Sequence, residues 1–215
     1  MSKNRPSHPV PQSTIDHFSS IAYVQPTLSD PAFKILPSSR NLTHNGAGHT
    51  LMAKTWNTSS TIHQVLSFYR SSSTPRSESI TYPEPASTRG EMRRFYTLGS
   101  DLNAHPNLLH GGVIAVLLDS TLGRAIGSTL HDRGLTGVES MFTVQLNVAY
   151  KKPVRTPGTV MVRAWVVKLE GEGRKVWAKG RVEGEGGVVH AEAEGMWVSP
   201  KEKKKEGEAK ERAKM

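Results

Sequence analysis

Within the stretch HGGVIAVLLDSTLG, two features place functional groups in an otherwise apolar sequence. The first is His110-Gly111-Gly112. Two glycines let another molecule come close to the backbone, and the first N–H groups of a helix lack internal partners. With the helix dipole behind them, these groups form an electropositive spot suited to a carbonyl oxygen that gains negative charge. The plainer alternative is that the glycines serve close packing. The second feature is Asp119, the one charged residue between Val113 and Gly123. A carboxylate inside an apolar helix is costly unless it is paired. Its plainer alternative is a structural Asp satisfied by backbone donors of a neighbouring strand. Together, an oxyanion site at a helix start and an acid at fixed spacing point to acyl transfer.

The elements around these residues follow from periodicity. HGGVIAVLLDSTLGRAIGSTL carries Val113, Ile114, Ala115, Val116, Leu117, Leu118, Leu122 and Ile126, so the predicted helix is apolar nearly all round and is expected to be buried on all sides. Arg94 to Leu98 reads as a short strand before it, with the loop GSDLNAHPNLL between. After it, Phe142, Val144, Leu146, Val148 and Tyr150 alternate with Thr143, Gln145 and Asn147, a period of two. Thr159 to Leu169 and Arg174 to Val182 flank the hairpin loop LEGEG, and GEGG leads into Val188–Val198. One buried helix followed by an antiparallel meander implies an α+β fold with the sheet wrapped around the helix.

The rest of the chain reads as appendages to residues 91–199. Residues 1–90 are expected to be an arm: six prolines fall in the first 40 residues, a short helix follows Ser13 and Thr14, and residues 71–90 form a Ser/Pro-rich linker. Ser60 to Tyr69 is predicted to be a helix with Ile62, Val65, Leu66 and Tyr69 on one face. Residues 200–215 form a charged, solvated tail. Of the net charge of +9, residues 1–40 carry +2 and residues 200–215 carry +3, so the central region holds only +4. That distribution does not call for a nucleic-acid partner. The chain has no cysteine, which excludes disulfides, thiol nucleophiles and thiolate zinc sites. No apolar run is read as approaching the roughly 18–20 residues of a membrane span, so a soluble, cytoplasmic protein is expected. Mitochondrial targeting stays open, because no acid precedes Asp16.

Three segments together carry a family resemblance. HGGVIAVLLDSTLG, with Asp119 nine residues after His110, TVQLNVAYKKP from Thr143 to Pro153, and EGRKVWAKGRV from Glu172 to Val182 resemble hotdog-fold acyl-CoA thioesterases of the phenylacetyl-CoA thioesterase-like branch of the thioesterase superfamily. The likeness covers about residues 91–198. The first 90 residues, with Phe68-Tyr69-Arg70, and TLGSDLNAHPNLLHGG resemble long-arm thioesterase-like proteins common in fungi. The resemblance implies hydrolysis of an acyl-CoA to the free acid and CoA, with no metal and no cofactor beyond the CoA of the substrate. It implies that Asp119 is the nucleophile or the general base, and that the amide of Gly111, with Gly112, polarises the thioester carbonyl. Thr143 matches the position of a water-positioning Ser or Thr. His110 shapes the helix entrance or is a satisfied structural histidine. Many relatives have Asn six residues before that histidine, where this chain has Ala104; Asn103 and Asn107 are the candidate substitutes. Tyr150, Lys151, Lys152, Pro153 and Arg155 match one CoA-contacting segment, and Gly173, Arg174 and Lys175 a second. The alternatives are solvated loop charge for the cations and a core position for Tyr150.

Geometry adds a requirement. Gly111 and Asp119 are eight residues apart, about 12 Å along a helix rising 1.5 Å per residue. A reacting carbonyl needs its oxygen about 3 Å from the amide with the attacking group beside the carbon. One helix does not easily supply both, whereas two antiparallel helices across a dyad do. A homodimer with two shared sites is therefore expected, with a pair of dimers as the larger alternative. Two rivals remain. Asp101-Leu102-Asn103-Ala104-His105-Pro106 resembles the Asp-x-Asn-Pro-x-His motif of hotdog hydratases and dehydratases, but its His comes four residues after the Asp instead of five, and Asp119 is left without a role. A non-catalytic acyl-CoA-binding hotdog protein is the other. A metal site on His105, His110 and Asp119 lacks a matching ligand spacing.

Overall fold

The alternation seen at Phe142–Tyr150 recurs along the chain, and the longer runs join one antiparallel sheet. The computed structural model describes residues 8–73, 90–135 and 140–200. In chain order the elements are α1 (Gln12–Ser19), α2 (Gln25–Leu28), β1 (Lys34–Ile35), β2 (Ile62–Arg70), β3 (Glu91–Leu98), β4 (Asn103–His105), β5 (Leu108–Leu109), α3 (Gly111–Asp132), β6 (Phe142–Tyr150), β7 (Gly158–Glu170), β8 (Lys175–Glu183) and β9 (Val189–Val198). Seven strands form the sheet in the order β1-β2-β3-β7-β8-β9-β6, and β4 and β5 form a small hairpin before α3. Alternate residues of the long strands face α3. Tyr96 and Leu98 of β3, Val160, Val162 and Ala164 of β7, Val176 and Ala178 of β8, and Trp197 of β9 pack with Val113, Leu117, Leu118, Leu122 and Ile126. The fold is the α+β hotdog arrangement, a long helix held against an antiparallel sheet.

Ser60–Tyr69 is not a helix: Ile62–Arg70 is strand β2, paired antiparallel with β3. The helical spacing arose because both faces of the strand are apolar. Val65 and Tyr69 face the α3 side, whereas Leu66 and Phe68 join Phe18, Val24, Phe33, Phe95 and Met161 on the outer face. An irregularity between Ile62 and Gln64 shifts the phase again. The sheet therefore draws β1 and β2 from before residue 91. The arm itself is less irregular than its prolines suggest. The predicted helix near Ser13 is present as α1, and Phe18 and Val24 are fully buried against the sheet. Residues 74–89 of the linker and 201–215 of the tail lie outside the described residues.

Beneath the arm, Glu91 sits among arginines. Its Oε1 accepts from Arg93 Nε (2.8 Å) and Arg163 Nε (2.7 Å), and its Oε2 lies 3.4 Å from Arg70 Nη2. Burial raises the carboxyl pKa, but Arg93 and Arg163 outweigh it and hold Glu91 at about 2, below its ordinary 4.5. A depressed folded-state pKa gives stability that is present above the unfolded value and lost as pH falls through the folded one. A Glu91→Gln variant is expected to melt several degrees below wild type at pH 7. The gap should narrow as pH falls from about 4.5 toward 2, as thermal unfolding at several pH values would read.

Two expectations about α3 change. At 22 residues, nearly all uncharged, the helix does reach the range of a membrane span by length and composition; here it is the core helix of the fold. Nor is it buried on all sides. Gly112 and Gly127 are exposed, and Ala115, Val116, Asp119 and Gly123 are half-buried. Among the described residues the sheet ends at β6, so one flank of the helix has no strand of theirs against it.

Candidate active site

The start of α3 is built by its own first residues. His110 is the N-cap, and its Nδ1 accepts the Gly112 N–H at 2.9 Å. His110 O accepts from Val113 N and Ile114 N. The Gly111 N–H is then left without a hydrogen bond among the described residues. The resemblance implies the Gly111 amide, with Gly112 as a second donor; the His110 ring takes the Gly112 amide. Tyr150, at the end of β6, donates its hydroxyl to Gly111 O at 2.9 Å. A Cβ built on Gly111 would lie 3.4 Å from the Tyr150 ring, so glycine keeps the approach to this amide narrow and free. Tyr150 is 55% exposed, which removes the core reading for it.

Asp119 lies two turns along the helix, half-buried on the open stripe. Its Oδ1 accepts from Thr143 Oγ1 at 2.7 Å. The expectation of an acid enclosed within the core fails because β6 is an end strand, and Thr143 on it is exposed. The hydrogen bond fixes one carboxylate oxygen and leaves the other for a reacting group.

The two segments matched to CoA contacts fall at opposite ends of β9. Tyr150 of β6 is paired with Ala191, whereas Lys175 of β8 is paired with Val198. Seven residues of strand separate them, about 23 Å. Lys151, Lys152, Pro153 and Arg155 therefore lie with Gly111 and Tyr150. Leu109 N donates to Val154 O at 3.0 Å, and Lys151 pairs with Glu192 at 3.3 Å. Gly173, Arg174 and Lys175 lie toward the other end, where Thr143 is paired with Trp197. A single chain thus keeps the two CoA-matched segments apart. Of the two candidate substitutes for the missing Asn at Ala104, Asn103 is engaged through its side chain, whose Oδ1 accepts from Thr156 Oγ1; Asn107 accepts from Thr156 N through its backbone O, which leaves its side chain as the remaining candidate.

Residues 106–185 match the family model of the thioesterase superfamily. Over those residues the chain resembles the thioesterase superfamily, a family named for thioester hydrolysis. Over 209 residues the chain is 26% identical to verlamelin biosynthesis protein B of a Lecanicillium species, covering 87% of this chain and 88% of that one. It is 30% identical to bovine acyl-coenzyme A thioesterase THEM4 over 46% of this chain and 37% of that protein. It is 35% identical to an uncharacterised protein of Schizosaccharomyces pombe over 47% of this chain and 55% of that protein. The chain thus spans most of the first relative and only about half or less of the other two.

Proposed function

We propose that the protein hydrolyses an acyl-CoA to the free acid and CoA, in a homodimer whose two sites are each shared between subunits. The Thr143–Asp119 hydrogen bond carries this reading, because it aims a carboxylate out of the helix on the flank that the sheet leaves open. In the proposed step, Asp119 of one subunit takes a proton from water as the water oxygen attacks the thioester carbon. The Gly111 N–H of the other subunit holds the oxyanion; collapse breaks the C–S bond, and the proton held by Asp119 passes to the departing sulfur to release the CoA thiol. Direct attack by Asp119, giving an acyl-enzyme that water then cleaves, uses the same two groups. Label found in Asp119 after a single turnover in ¹⁸O water identifies direct attack with water cleaving the anhydride at the Asp119 carboxyl carbon, and trapping of the acyl group by hydroxylamine reports an anhydride cleaved at the other carbonyl.

The dimer reading is supported by the flank itself. β6 has one unpaired edge, and Phe142 and Val144 on it are each 59% exposed. Cβ atoms built on Gly123 and Gly127 of the adjacent helix stripe would meet nothing within 4 Å. An open strand edge with apolar side chains is a template for a second chain. Antiparallel pairing of two such edges would set the Gly111 end of one subunit beside the Asp119 end of the other. It would also bring Lys151–Arg155 of one subunit toward Gly173–Lys175 of its partner.

Thiol release across a panel of acyl-CoAs tests the reaction. Free carboxylate with CoA supports it, whereas hydration of an enoyl-CoA without thiol release would replace it with the hydratase reading. Thr143→Ala is expected to lower kcat by about tenfold, less than removal of Asp119, because Thr143 orients the carboxylate and does not react. An unchanged kcat with a large rise in KM would make Thr143 a substrate contact instead. Charge removal at Lys151, Lys152, Arg174 and Lys175 should raise KM for acyl-CoA by several-fold in low salt and less in high salt, since exposed phosphate contacts are screened. The KM of the matching acyl-pantetheine should not move; equal effects on both substrates would tie these residues to the acyl pocket or the fold.

A further inference from the structure

Between α3 and β3 lies a cluster that the proposed chemistry does not use. Arg94 of β3, only 2% exposed, points at α3 one residue beyond Asp119. Its Nη1 donates to Ser120 Oγ at 3.0 Å and its Nη2 to Ser39 Oγ. Arg124, one turn past Ser120, donates from Nη2 to Pro37 O at 3.3 Å. Arg40 spends its donors on the carbonyls of Met52, Trp56, Ile62 and His63. Burial, and then repulsion by Arg94, lowers Arg40 to about 10 and Arg124 below its ordinary value.

The contrast with the other face of the sheet is informative. There Arg70, Arg93, Arg163 and Arg181 each meet Glu91 or Glu183. Among the described residues, no carboxylate pairs with Arg40, Arg94 or Arg124. The Nε of Arg94 and the Nε of Arg124 are buried and have no hydrogen-bond partner. A buried cation such as Arg94 is costly without a counter-charge, and guanidinium N–H groups beside serine hydroxyls form a donor set suited to an oxyanion. Ser38, Ser39, Arg40 and Arg124 are half-exposed, so an anion has a route in from solvent.

We propose that Arg94 and Arg124, with Ser39, bind an oxyanion: the free carboxylate at the far end of a dicarboxylic acyl group, or a phosphate. Arg124 follows Asp119 by five residues, about 7.5 Å along the helix axis and about 140° around it, so the acyl source calls for a chain long enough to pass partly around α3. The acyl source rests on the thioesterase reading; the anion site does not.

Thermal unfolding of the full chain in phosphate or adipate, against chloride at equal ionic strength, tests the site. At roughly ten times the dissociation constant, wild type should gain about 3 °C or more. Arg124→Gln should lose most of that gain, and Ser39→Ala, a milder change near the surface, part of it. No gain in wild type, or the same gain in wild type and both variants, overturns the proposal. Adipoyl-CoA against hexanoyl-CoA then identifies the source. A preference of about tenfold for adipoyl-CoA that Arg124→Gln abolishes assigns the site to the acyl group. A phosphate gain without that preference assigns it to phosphate. Failure to hydrolyse any acyl-CoA of the panel would sink the thioesterase reading and leave the unfolding result to decide the site.

Discussion

Replacing Asp119 by Asn is expected to lower kcat for acyl-CoA hydrolysis by about 10²-fold or more, with the melting temperature and CoA affinity close to wild type. The substitution keeps the shape and keeps an acceptor for Thr143 Oγ1, which now donates to Asp119 Oδ1 at 2.7 Å. It removes the basicity and nucleophilicity that either proposed route needs. Because Asp119 is half-buried on an open flank and forms no ion pair among the described residues, the change leaves no buried cation stranded. A lost kcat is then a statement about chemistry and not about folding. General acid–base roles usually contribute at least about 10²-fold, so a variant retaining more than about a tenth of kcat would remove Asp119 from the reaction. Thiol release gives kcat, calorimetry gives CoA affinity, and thermal unfolding checks the fold.

What the sequence made legible is what a fixed period or a single residue type encodes. Phe142–Tyr150 alternates cleanly because β6 is an end strand with differing faces, and HGG followed by an isolated Asp marks the helix and its polar spots. β2 was misread for the opposite reason. The arm covers its outer face while α3 covers its inner one, and a strand apolar on both faces has lost the period of two. Partners were hidden as well. His110 names no target in the sequence, yet its ring takes the Gly112 amide and thereby singles out Gly111. The exposure of Asp119 depends on β6 closing the sheet order, and the separation of the CoA segments depends on the register of β9 with two neighbours. Neither is a local property. The arginines at 40, 94 and 124 are scattered in sequence, and only the packing of β3 on α3 shows that they gather without an acid.

Two inactive variants are expected to restore each other when mixed, because each site would take its amide from one subunit and its carboxylate from the other. One chain carries Asp119→Ala and the other Gly111→Pro. The backbone accommodates the proline: Gly111 is the first helical residue, its N–H serves no helical hydrogen bond, and His110 before it is extended at φ −64°, ψ 134°. The variant therefore deletes the oxyanion donor while keeping α3, with the Tyr150 ring needing to yield slightly around the added atoms. Each pure dimer has two defective sites. In the hybrid, one site collects both lesions and the other collects neither. Equal chains mixed at random give half hybrids, each with one working site of two, so about a quarter of wild-type activity should return. Co-expression with two affinity tags isolates the hybrid, where the expected recovery rises to about half. Both pure variants must remain folded and dimeric, which sedimentation and thermal unfolding report. Hybrids as inactive as their parents would require Gly111 and Asp119 to act within one chain. Because these groups lie about 12 Å apart along a single helix, that result would remove one of them from the reacting centre and overturn the shared site.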